Sequence, residues 1–370
     1  MSARFLTVVL ERAFNMRDGF GREIDYMRIS VIDSCNLNCY YCNPCDNNEH
    51  CHALNILSVK EVLCIVRAAT RLGIKHFRLT GGEPLLHPQL DEMVLQIKKI
   101  PGVSSVSLTT NAVLLVQHAK WLKEAGIDSI NVSLDTIDAS EYERITKKPL
   151  LEEVKHGINA AIECGIRVKI NVVLTPQTDV VALTRYVAKK GTDIRFIEMM
   201  PVGEGHTNGV EPYKKVIGTL SKLYGEPCRI NTEKTKEINS GNDKRKIPDN
   251  GPAEYYIFPE LGIRVGLIQA IHGKFCDTCN RIRVTADGRL MPCLGSSVTM
   301  DLVPDSWDFA DDVEKDFAIV RALRAAIKAK PRCNNFNDNA VTYTKTTETK
   351  TTEIEAAEVN AARNMSRIGG

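Results

Sequence analysis

The sequence predicts an α/β protein that consists of a partial barrel of six βα units followed by a smaller α+β domain. Three observations lead to this prediction. Strand-like apolar runs alternate with helical patterns over residues 26–200. The strands are rich in apolar residues along most of their length, which is typical of a parallel sheet covered on both faces. After about Gly203 the alternation stops and shorter strands follow.

The first region contains six predicted strands, each separated from the next by a helical pattern. The strands are YMRISVI (26–32), KHFRLT (75–80), SVSLTT (105–110), DSINVSL (128–134), RVKINVVL (167–174) and DIRFIEMM (193–200). The helical patterns lie near 58–72, 89–99, 115–125, 151–164 and 179–190. Crossover connections between parallel strands are right-handed, so the sheet coils in one direction. Six units are fewer than the eight that close a full barrel, and a partial barrel is therefore predicted.

We place the domain boundaries at 1–205 for the partial barrel, 206–335 for the C-terminal domain and 336–370 for a tail. The C-terminal domain is predicted to contain a helix near 212–224 and short strands around 255–258, 263–268 and 281–285. The tail includes TYTKTTETKTTEIEAAEVNAA, which is rich in Thr, Glu and Lys. Such a composition predicts a flexible segment or a marginal helix.

Composition limits the class of function. A chain of 370 residues exceeds one ordinary core, which favours two domains. The formal net charge of +2 argues against a general nucleic-acid binder. No apolar run approaches the length of a membrane helix, and the N-terminus lacks the features of a secretory signal. We expect a cytoplasmic protein, with an organelle-targeting N-terminus as the less favoured alternative.

The chain contains 12 cysteines, and without a secretion signal this number points to metal or redox chemistry. Three of them, Cys35, Cys39 and Cys42, lie in CNLNCYYC directly after the first predicted strand. One interpretation is a structural zinc site, completed by Cys45, Cys51, His50 or His52. The other is an iron–sulfur cluster, in which three thiolates hold three irons and leave a fourth iron open. The spacing favours the cluster.

A second group, Cys276, Cys279 and Cys293, has the spacing Cys-x2-Cys-x13-Cys. A zinc ribbon normally supplies a second Cys-x2-Cys pair, and Cys293 has no such partner in the sequence. Arg281 and Arg283 follow closely and share one strand face at a period of two. Two arginines on one face could simply belong to a solvated edge strand. Beside a thiolate site, however, guanidinium groups that bind phosphate are the better explanation.

Several motifs in order resemble those of known enzymes. The cysteine triplet after the first strand and LTGGEPLL (79–86) after the second resemble the radical S-adenosylmethionine (SAM) enzymes. The glycines of that second motif would let backbone groups approach a ligand. Further motifs are YMRISVID, TTNAVLL, INVSLDTID, RFIEMMPVG, GPAEYY and FCDTCNRIRVTADGRLMPCL. Together they closely resemble the molybdenum cofactor biosynthesis protein A family, the GTP 3′,8-cyclases.

The resemblance implies two [4Fe–4S] clusters, SAM as cofactor and GTP as substrate. Cys35, Cys39 and Cys42 would hold the first cluster, and Cys276, Cys279 and Cys293 would hold the second, whose open iron binds the guanine. The implied SAM contacts are Tyr41, Gly82, Ser133 and Met200. The implied GTP contacts are Arg28, Arg78, Thr109, Lys169, Arg281 and Arg283. No side chain is assigned an acid, base or nucleophile role.

The implied reaction is a radical cyclisation of GTP, the first step towards the pterin of the molybdenum cofactor. A 5′-deoxyadenosyl radical removes hydrogen from C3′ of the ribose, and the ribose carbon then joins C8 of guanine. The implied partners are an electron donor, such as a flavodoxin or ferredoxin system, and a downstream cyclic pyranopterin monophosphate synthase. The resemblance also allows a homodimer, and it implies that Gly369 and Gly370 thread into the barrel near SAM.

Two alternatives remain at this point. A peptide-modifying radical SAM enzyme can carry an auxiliary cluster, but it typically has more cysteines in the second group and lacks the pair Arg281 and Arg283. A zinc or electron-transfer protein without catalytic activity would leave LTGGEPLL and INVSLDTID unexplained.

Overall fold

A computed structural model describes residues 16–42, 56–202, 212–230, 251–296, 299–302, 312–334 and 336. Several sequence predictions lie outside these residues. They concern the fourth-ligand candidates Cys45, Cys51, His50 and His52, and the tail beyond residue 336 with Gly369 and Gly370. Within the described residues, no helix is both long enough and apolar enough to cross a bilayer.

The described strands are β1 (Tyr26–Ser30), β2 (His76–Thr80), β3 (Ser105–Thr110), β4 (Ser129–Ser133), β5 (Val168–Val173), β6 (Asp193–Ile197), β7 (Cys228–Arg229), β8 (Glu254–Ile257), β9 (Arg264–Ile268), β10 (Arg281–Val284), β11 (Arg289–Met291) and β12 (Met300–Asp301). They form one sheet, in the order β12-β11-β10-β1-β2-β3-β4-β5-β6-β9-β8-β7. Strands β1 to β6 pair in parallel with their neighbours in chain order. The prediction of six parallel strands is confirmed.

Helices connect these strands as the periodicity predicts. The described helices are α1 (Val59–Arg71), α2 (Leu90–Lys98), α3 (Leu115–Glu124), α4 (Ala139–Thr146), α5 (Leu151–Glu163), α6 (Val180–Lys189), α7 (Pro212–Tyr224) and α8 (Asp312–Lys328). The sequence prediction omitted α4 and α8. Helix α4 has only eight residues, and Asp138 begins it by accepting a hydrogen bond from the backbone N–H of Glu141 at 2.8 Å.

The two faces of the parallel sheet differ in character. Side chains such as Met27, Ile29, Phe77 and Leu79 are fully buried in the hydrophobic core that includes the helices. The residues that alternate with them are polar. We call this second side of the sheet the polar face; it carries Arg28, Arg78, Thr109, Asn131, Lys169, Arg195, Arg281 and Arg283. The sequence predicted a sheet covered on both faces; one face is apolar, and several side chains of the polar face, such as Lys169 and Arg195, are buried as well.

Strands from the C-terminal region extend both edges of the barrel sheet. Strand β10 pairs in parallel with β1, and Arg283 lies opposite Arg28. Strand β9 pairs in parallel with β6 at the other edge. The parallel pairing brings the residues around Cys279 beside the first strand of the barrel, although some 250 residues separate them. The boundary at residue 205 stays a prediction.

Candidate active site

The loop with the first cysteine triplet begins at the carboxyl end of β1 and lies against the GGEP turn that follows β2. The backbone N–H of Gly82 donates to the carbonyl of Ile32 at 2.8 Å, and that of Glu83 donates to the carbonyl of Ser34 at 2.8 Å. A Cβ on Gly82 would lie 2.2 Å from the Ser34 carbonyl oxygen and 2.5 Å from that of Asp33. Glycine is therefore required here because two backbones approach each other closely.

We expect Gly82→Ala to lower the stability of the chain and to displace the cysteine loop. The added methyl group meets backbone atoms, which cannot rotate away as a side chain can, so the cost should be about 1–3 kcal/mol or more. Thermal unfolding of the anaerobically purified chain measures it. Gly218→Ala, on α7, is the matched control, because a Cβ there meets nothing within 4 Å. An unfolding temperature equal in both variants would contradict the close approach.

Glu83 is buried and binds protein groups rather than facing open space. Its carboxylate accepts hydrogen bonds from the Thr110 hydroxyl at 2.7 Å, from the Asn111 backbone N–H at 2.7 Å and from the Leu85 backbone N–H at 3.0 Å. Burial raises the pKa of Glu83 to about 7. The side chain joins the end of β3 to the turn, and its carboxylate is already occupied by donors of the protein.

Side chains after β3 and β4 hold the cysteine loop from two further sides. The Asn111 amide donates to Asn36 Oδ1 at 2.7 Å and approaches Cys35 Sγ at 3.8 Å. The Tyr41 hydroxyl donates to Asp135 Oδ2 at 2.5 Å. Burial raises the pKa of Asp135 to about 6. Asp135 holds the cysteine loop and was missed by the sequence reasoning, although it lies within the INVSLDTID motif.

The three thiols of the first triplet lie close enough to influence one another. Burial raises the pKa of Cys35 to about 12, with smaller contributions from Glu83 and Cys42. Burial also raises the pKa of Cys42 to about 11, and burial followed by the charge of Cys42 raises that of Cys39 well above its usual value. Thiolates in this loop therefore need a cationic centre to stabilise them.

A single metal ion does not fit either triplet as it stands. Across the described part of the chain, no three His, Cys, Asp or Glu side chains form a group that could hold one metal ion. Each thiolate sulfur bound to zinc lies about 2.3 Å from the metal, so sulfurs that share one zinc ion lie close together. In an iron–sulfur cube each thiolate binds a different iron, so the sulfurs stay further apart. The described donors of each triplet, three thiols, fit a cluster better than zinc, and the fourth-ligand candidates for the first triplet lie outside the described residues.

The second cysteine group lies beside cationic side chains. The backbone N–H of Cys279 donates to the Cys276 carbonyl at 3.1 Å, which closes the short helical turn Cys276–Thr278. Burial opposes ionisation of Cys279, but the charges of Arg281 and Lys330 outweigh it and lower its pKa to about 7. The charge of Cys279 also acts on Cys293. Burial raises the pKa of Cys293, so of these two neighbouring thiols Cys279 is the one that ionises readily.

Four arginines form a positive cluster on the polar face beside this second group. Arg28 lies in register with Arg283 on one side and with Arg78 on the other. Burial lowers the pKa of Arg28 well below its usual range, and the like charges of Arg283 and Arg78 lower it further. Burial and then the charge of Arg281 lower the pKa of Arg283 to about 10. Mutual repulsion of this kind favours binding of an anion.

Other predicted GTP contacts lie on the same face. Arg78 donates to the hydroxyl of Tyr26 at 2.5 Å and to that of Thr109 at 3.3 Å. Lys169 is in register with Asn131, which in turn is in register with Thr109. Lys169 is 5% exposed, and its Nζ lies 5.9 Å from the centre of the Tyr255 ring. The polar face therefore brings together all six predicted GTP residues.

Arg195 on β6 is a further cation that the sequence reasoning missed. The residue is 4% exposed, and its Nε donates to Asn171 Oδ1 at 2.9 Å. Its Nη2 is buried and makes no hydrogen bond within the described residues. The signal in the sequence was a charged residue between the apolar Ile194 and Phe196 of DIRFIEMM. A buried donor left without an acceptor is costly, so a bound anion would complete it.

The predicted SAM contacts lie at the end of the sheet where the carboxyl ends of the parallel strands meet. Tyr41 follows β1, Gly82 follows β2, Ser133 ends β4 and Met200 follows β6. Ser133 is exposed, whereas Met200 is partly buried and packs against the small apolar cluster that includes Val202. In open parallel α/β sheets, ligands bind outside the carboxyl ends of the strands.

Comparisons with known proteins agree with this geometry. Residues 29–182 match the Radical SAM superfamily and residues 192–336 match Molybdenum Cofactor Synthesis C. A GTP 3′,8-cyclase of Clostridium perfringens is 35% identical over 324 residues, which cover 87% of this chain and 95% of the relative. The GTP 3′,8-cyclase of Pelotomaculum thermopropionicum is 38% identical over 294 residues, 78% of this chain and 86% of the relative.

The chain belongs to the GTP 3′,8-cyclase family.

Solved structures of more distant proteins share the fold. Streptococcus suis SuiB, crystallised with S-adenosylmethionine, matches 82% of this chain and 68% of its own length with a TM-score of 0.56 and 14% identity. Native anSMEcpe with bound AdoMet matches 72% of this chain and 74% of its own length with a TM-score of 0.50 and 17% identity. The predicted class, a partial radical SAM barrel, is confirmed. Membership of the family makes the chain a radical SAM enzyme that acts on GTP and carries an iron–sulfur cluster.

Proposed function

We propose that this chain converts GTP to (8S)-3′,8-cyclo-7,8-dihydroguanosine 5′-triphosphate, with two [4Fe–4S] clusters placed at either end of the polar face. The observation that supports this most directly is the row formed by Arg283, Arg28 and Arg78. These side chains repel one another on a largely buried surface, and a triphosphate supplies the negative charge that relieves the repulsion.

The two cysteine triplets have different roles in this proposal. Cys35, Cys39 and Cys42, at the carboxyl end of β1, would hold the cluster that binds SAM. Cys276, Cys279 and Cys293 would hold a second cluster, which would bind the guanine base. When bound, the first cluster supplies the electron that cleaves SAM and so provides the radical that reacts with GTP.

The side chains of this chain position the substrate between the two triplets. The cations Arg28, Arg78, Lys169, Arg281 and Arg283, with Thr109 and Arg195, would bind the triphosphate. Fixing both ends of the nucleotide presents the ribose C3′ and the base C8 in one orientation, which removes the entropic cost of bringing them together. Tyr41, Gly82, Ser133 and Met200 would contact SAM, and the Tyr41 hydroxyl is already bound to Asp135, so we assign its backbone to that contact.

Anaerobic iron and sulfide analysis together with product analysis tests the proposal. We expect about eight irons and eight sulfides per chain and, with GTP, SAM and dithionite, formation of the cyclised nucleotide and 5′-deoxyadenosine. About four irons would contradict the second cluster. One or two zinc ions in place of iron would contradict both clusters.

The remaining parts of the proposal concern the partner proteins, the location and the oligomeric state of the chain. A low-potential electron donor, such as a flavodoxin or ferredoxin system, would reduce the first cluster, and a cyclic pyranopterin monophosphate synthase would consume the product. The cytoplasmic location and a homodimer stay predictions from the sequence, as does the insertion of Gly369 and Gly370 near SAM.

Replacing Arg281 or Arg283 by Ala should weaken GTP binding about tenfold or more while leaving the iron content unchanged. Each charge-assisted hydrogen bond to phosphate contributes about 1.5–3 kcal/mol, and neither side chain ligates metal. Anaerobic titration calorimetry with GTP measures the effect. Arg289→Ala is the matched control, because Arg289 is exposed on β11 and pairs with Asp301 at 3.3 Å. GTP affinity unchanged in both variants would place the triphosphate elsewhere.

A further inference from the structure

The segment that follows α8 crosses the second cysteine group. Lys330 and Asn334 are 3% and 8% exposed, which is unusual for side chains that carry an ammonium and an amide. Neither residue belongs to the cysteine motif, because they lie 37 and 41 positions after Cys293, its last cysteine. Both direct hydrogen-bond donors at this site.

Asn334 donates to a cysteine sulfur. Its Nδ2 lies 3.5 Å from Cys276 Sγ and also donates to the Ala270 carbonyl at 3.1 Å. A Cβ on Gly295 would lie 2.9 Å from the Asn334 Cβ, so the segment packs tightly over the loop that follows Cys293. The close packing fixes the direction of the amide.

Lys330 places a positive charge between the other two cysteines. Its Nζ donates to the carbonyl of Arg281 at 2.7 Å and to that of Pro292 at 2.9 Å. Arg281 lies two residues after Cys279, and Pro292 directly precedes Cys293. Two backbone bonds hold the ammonium beside both thiols.

Arg22 ties the same segment to the barrel. Its guanidinium donates to the carbonyls of Cys276 at 2.7 Å, Arg332 at 3.0 Å and Pro331 at 2.6 Å, and it pairs with the buried Asp18 at 2.5 Å. The carbonyl acceptors belong to the two pieces of chain that Asn334 and Lys330 bridge. The donors are thus held at the sulfurs by a rigid network.

We propose that Asn334 and Lys330 set the reduction potential of the cluster held by Cys276, Cys279 and Cys293. The inference rests on the second cluster of the proposed function. Reduction adds one electron, and so one negative charge, to a cluster and its thiolates. A hydrogen bond to a ligating sulfur and a nearby ammonium stabilise that charge, and both raise the potential.

The test is a redox titration of Asn334→Leu followed by electron paramagnetic resonance. The titration uses full-length chain in which Cys35, Cys39 and Cys42 are replaced by Ser, so that only the second cluster contributes to the signal. We expect the equilibrium constant for reduction to fall about tenfold, which corresponds to a midpoint potential about 59 mV lower for one electron. Asn334→His, which restores an N–H donor, should return the potential towards that of the parent.

Iron content separates the possible outcomes. The exposed Cys333→Ser is the matched control from the same segment and should leave the potential unchanged. Four irons with an unchanged potential in both Asn334→Leu and Lys330→Met would overturn the inference and leave the proposed function intact. No iron in the parent triple-serine chain would overturn the second cluster itself. If Asn334→Leu does not load iron, Asn334→Ala removes the same donor with less bulk. The same fall in midpoint potential is then expected for Asn334→Ala.

Discussion

Cys39→Ser should abolish reductive cleavage of SAM. A serine hydroxyl is far less acidic than a thiol and does not replace a thiolate on iron, so the first triplet keeps two ligands of three. Cys39 lies in the middle of a loop that the turn after β2, Asn111 and Asp135 hold in place from three sides. That support cannot compensate for a missing ligand, because none of its side chains is a thiol.

The measurement is 5′-deoxyadenosine formed with dithionite and SAM, with iron counted in the same preparation. We expect less than about one hundredth of the parent rate and a loss of about four irons. Cys228→Ser is the matched control, because Cys228 is exposed on the short edge strand β7, and it should cleave SAM at the parent rate. Unimpaired 5′-deoxyadenosine formation by the Cys39 variant would refute the assignment of the first triplet.

Cys279→Ser should separate the two halves of the reaction. The second group lies on the β10 side of the sheet, and its loss leaves the loop of Cys35, Cys39 and Cys42 with all its contacts. We therefore expect SAM cleavage to continue without GTP turnover, and the cyclised nucleotide to fall below about one hundredth of the parent yield. Without its anchor at the base, the ribose is no longer held in reach of the radical.

Chromatography of both products from one reaction gives the ratio of 5′-deoxyadenosine to cyclised nucleotide. That ratio should rise steeply in Cys279→Ser and stay at the parent value in Cys333→Ser, whose cysteine is exposed. A Cys279 variant with a parental ratio would show that the second group has no part in placing GTP.

Much of the fold could be predicted from local patterns. The six parallel strands and the helices between them follow from apolar periodicity, and their bounds agree with the prediction to within about three residues. Helix α4 escaped prediction because its eight residues give too short a pattern, and the signal that could have found it was the cap at Asp138. Helix α8, over Asp312–Lys328, was present in the pattern but was not assigned.

Some residues of the candidate site could likewise be identified from the sequence, and others could not. The cysteines and the arginines of β10 could be recognised from spacing and motif, because ligands that share one loop or one strand are close in sequence. Asp135, Lys330 and Asn334 could not be assigned, because each acts through a neighbour on another element. Arg195 did leave a signal, a charged residue within an apolar strand, but that signal does not say what the side chain binds. The bond between Asn334 and Cys276 joins residues 58 positions apart, and that between Tyr41 and Asp135 joins residues 94 apart.

By itself, the sequence determined the α/β class, the two cysteine triplets and the resemblance to a family, because periodicity and short spacings are properties of neighbouring residues. The tertiary structure decided which charges face one another. Parallel pairing of β10 with β1 places Arg283 opposite Arg28, and β2 adds Arg78 on the other side. Strand order and register set that row, and both depend on how the whole sheet packs against its helices rather than on any single segment.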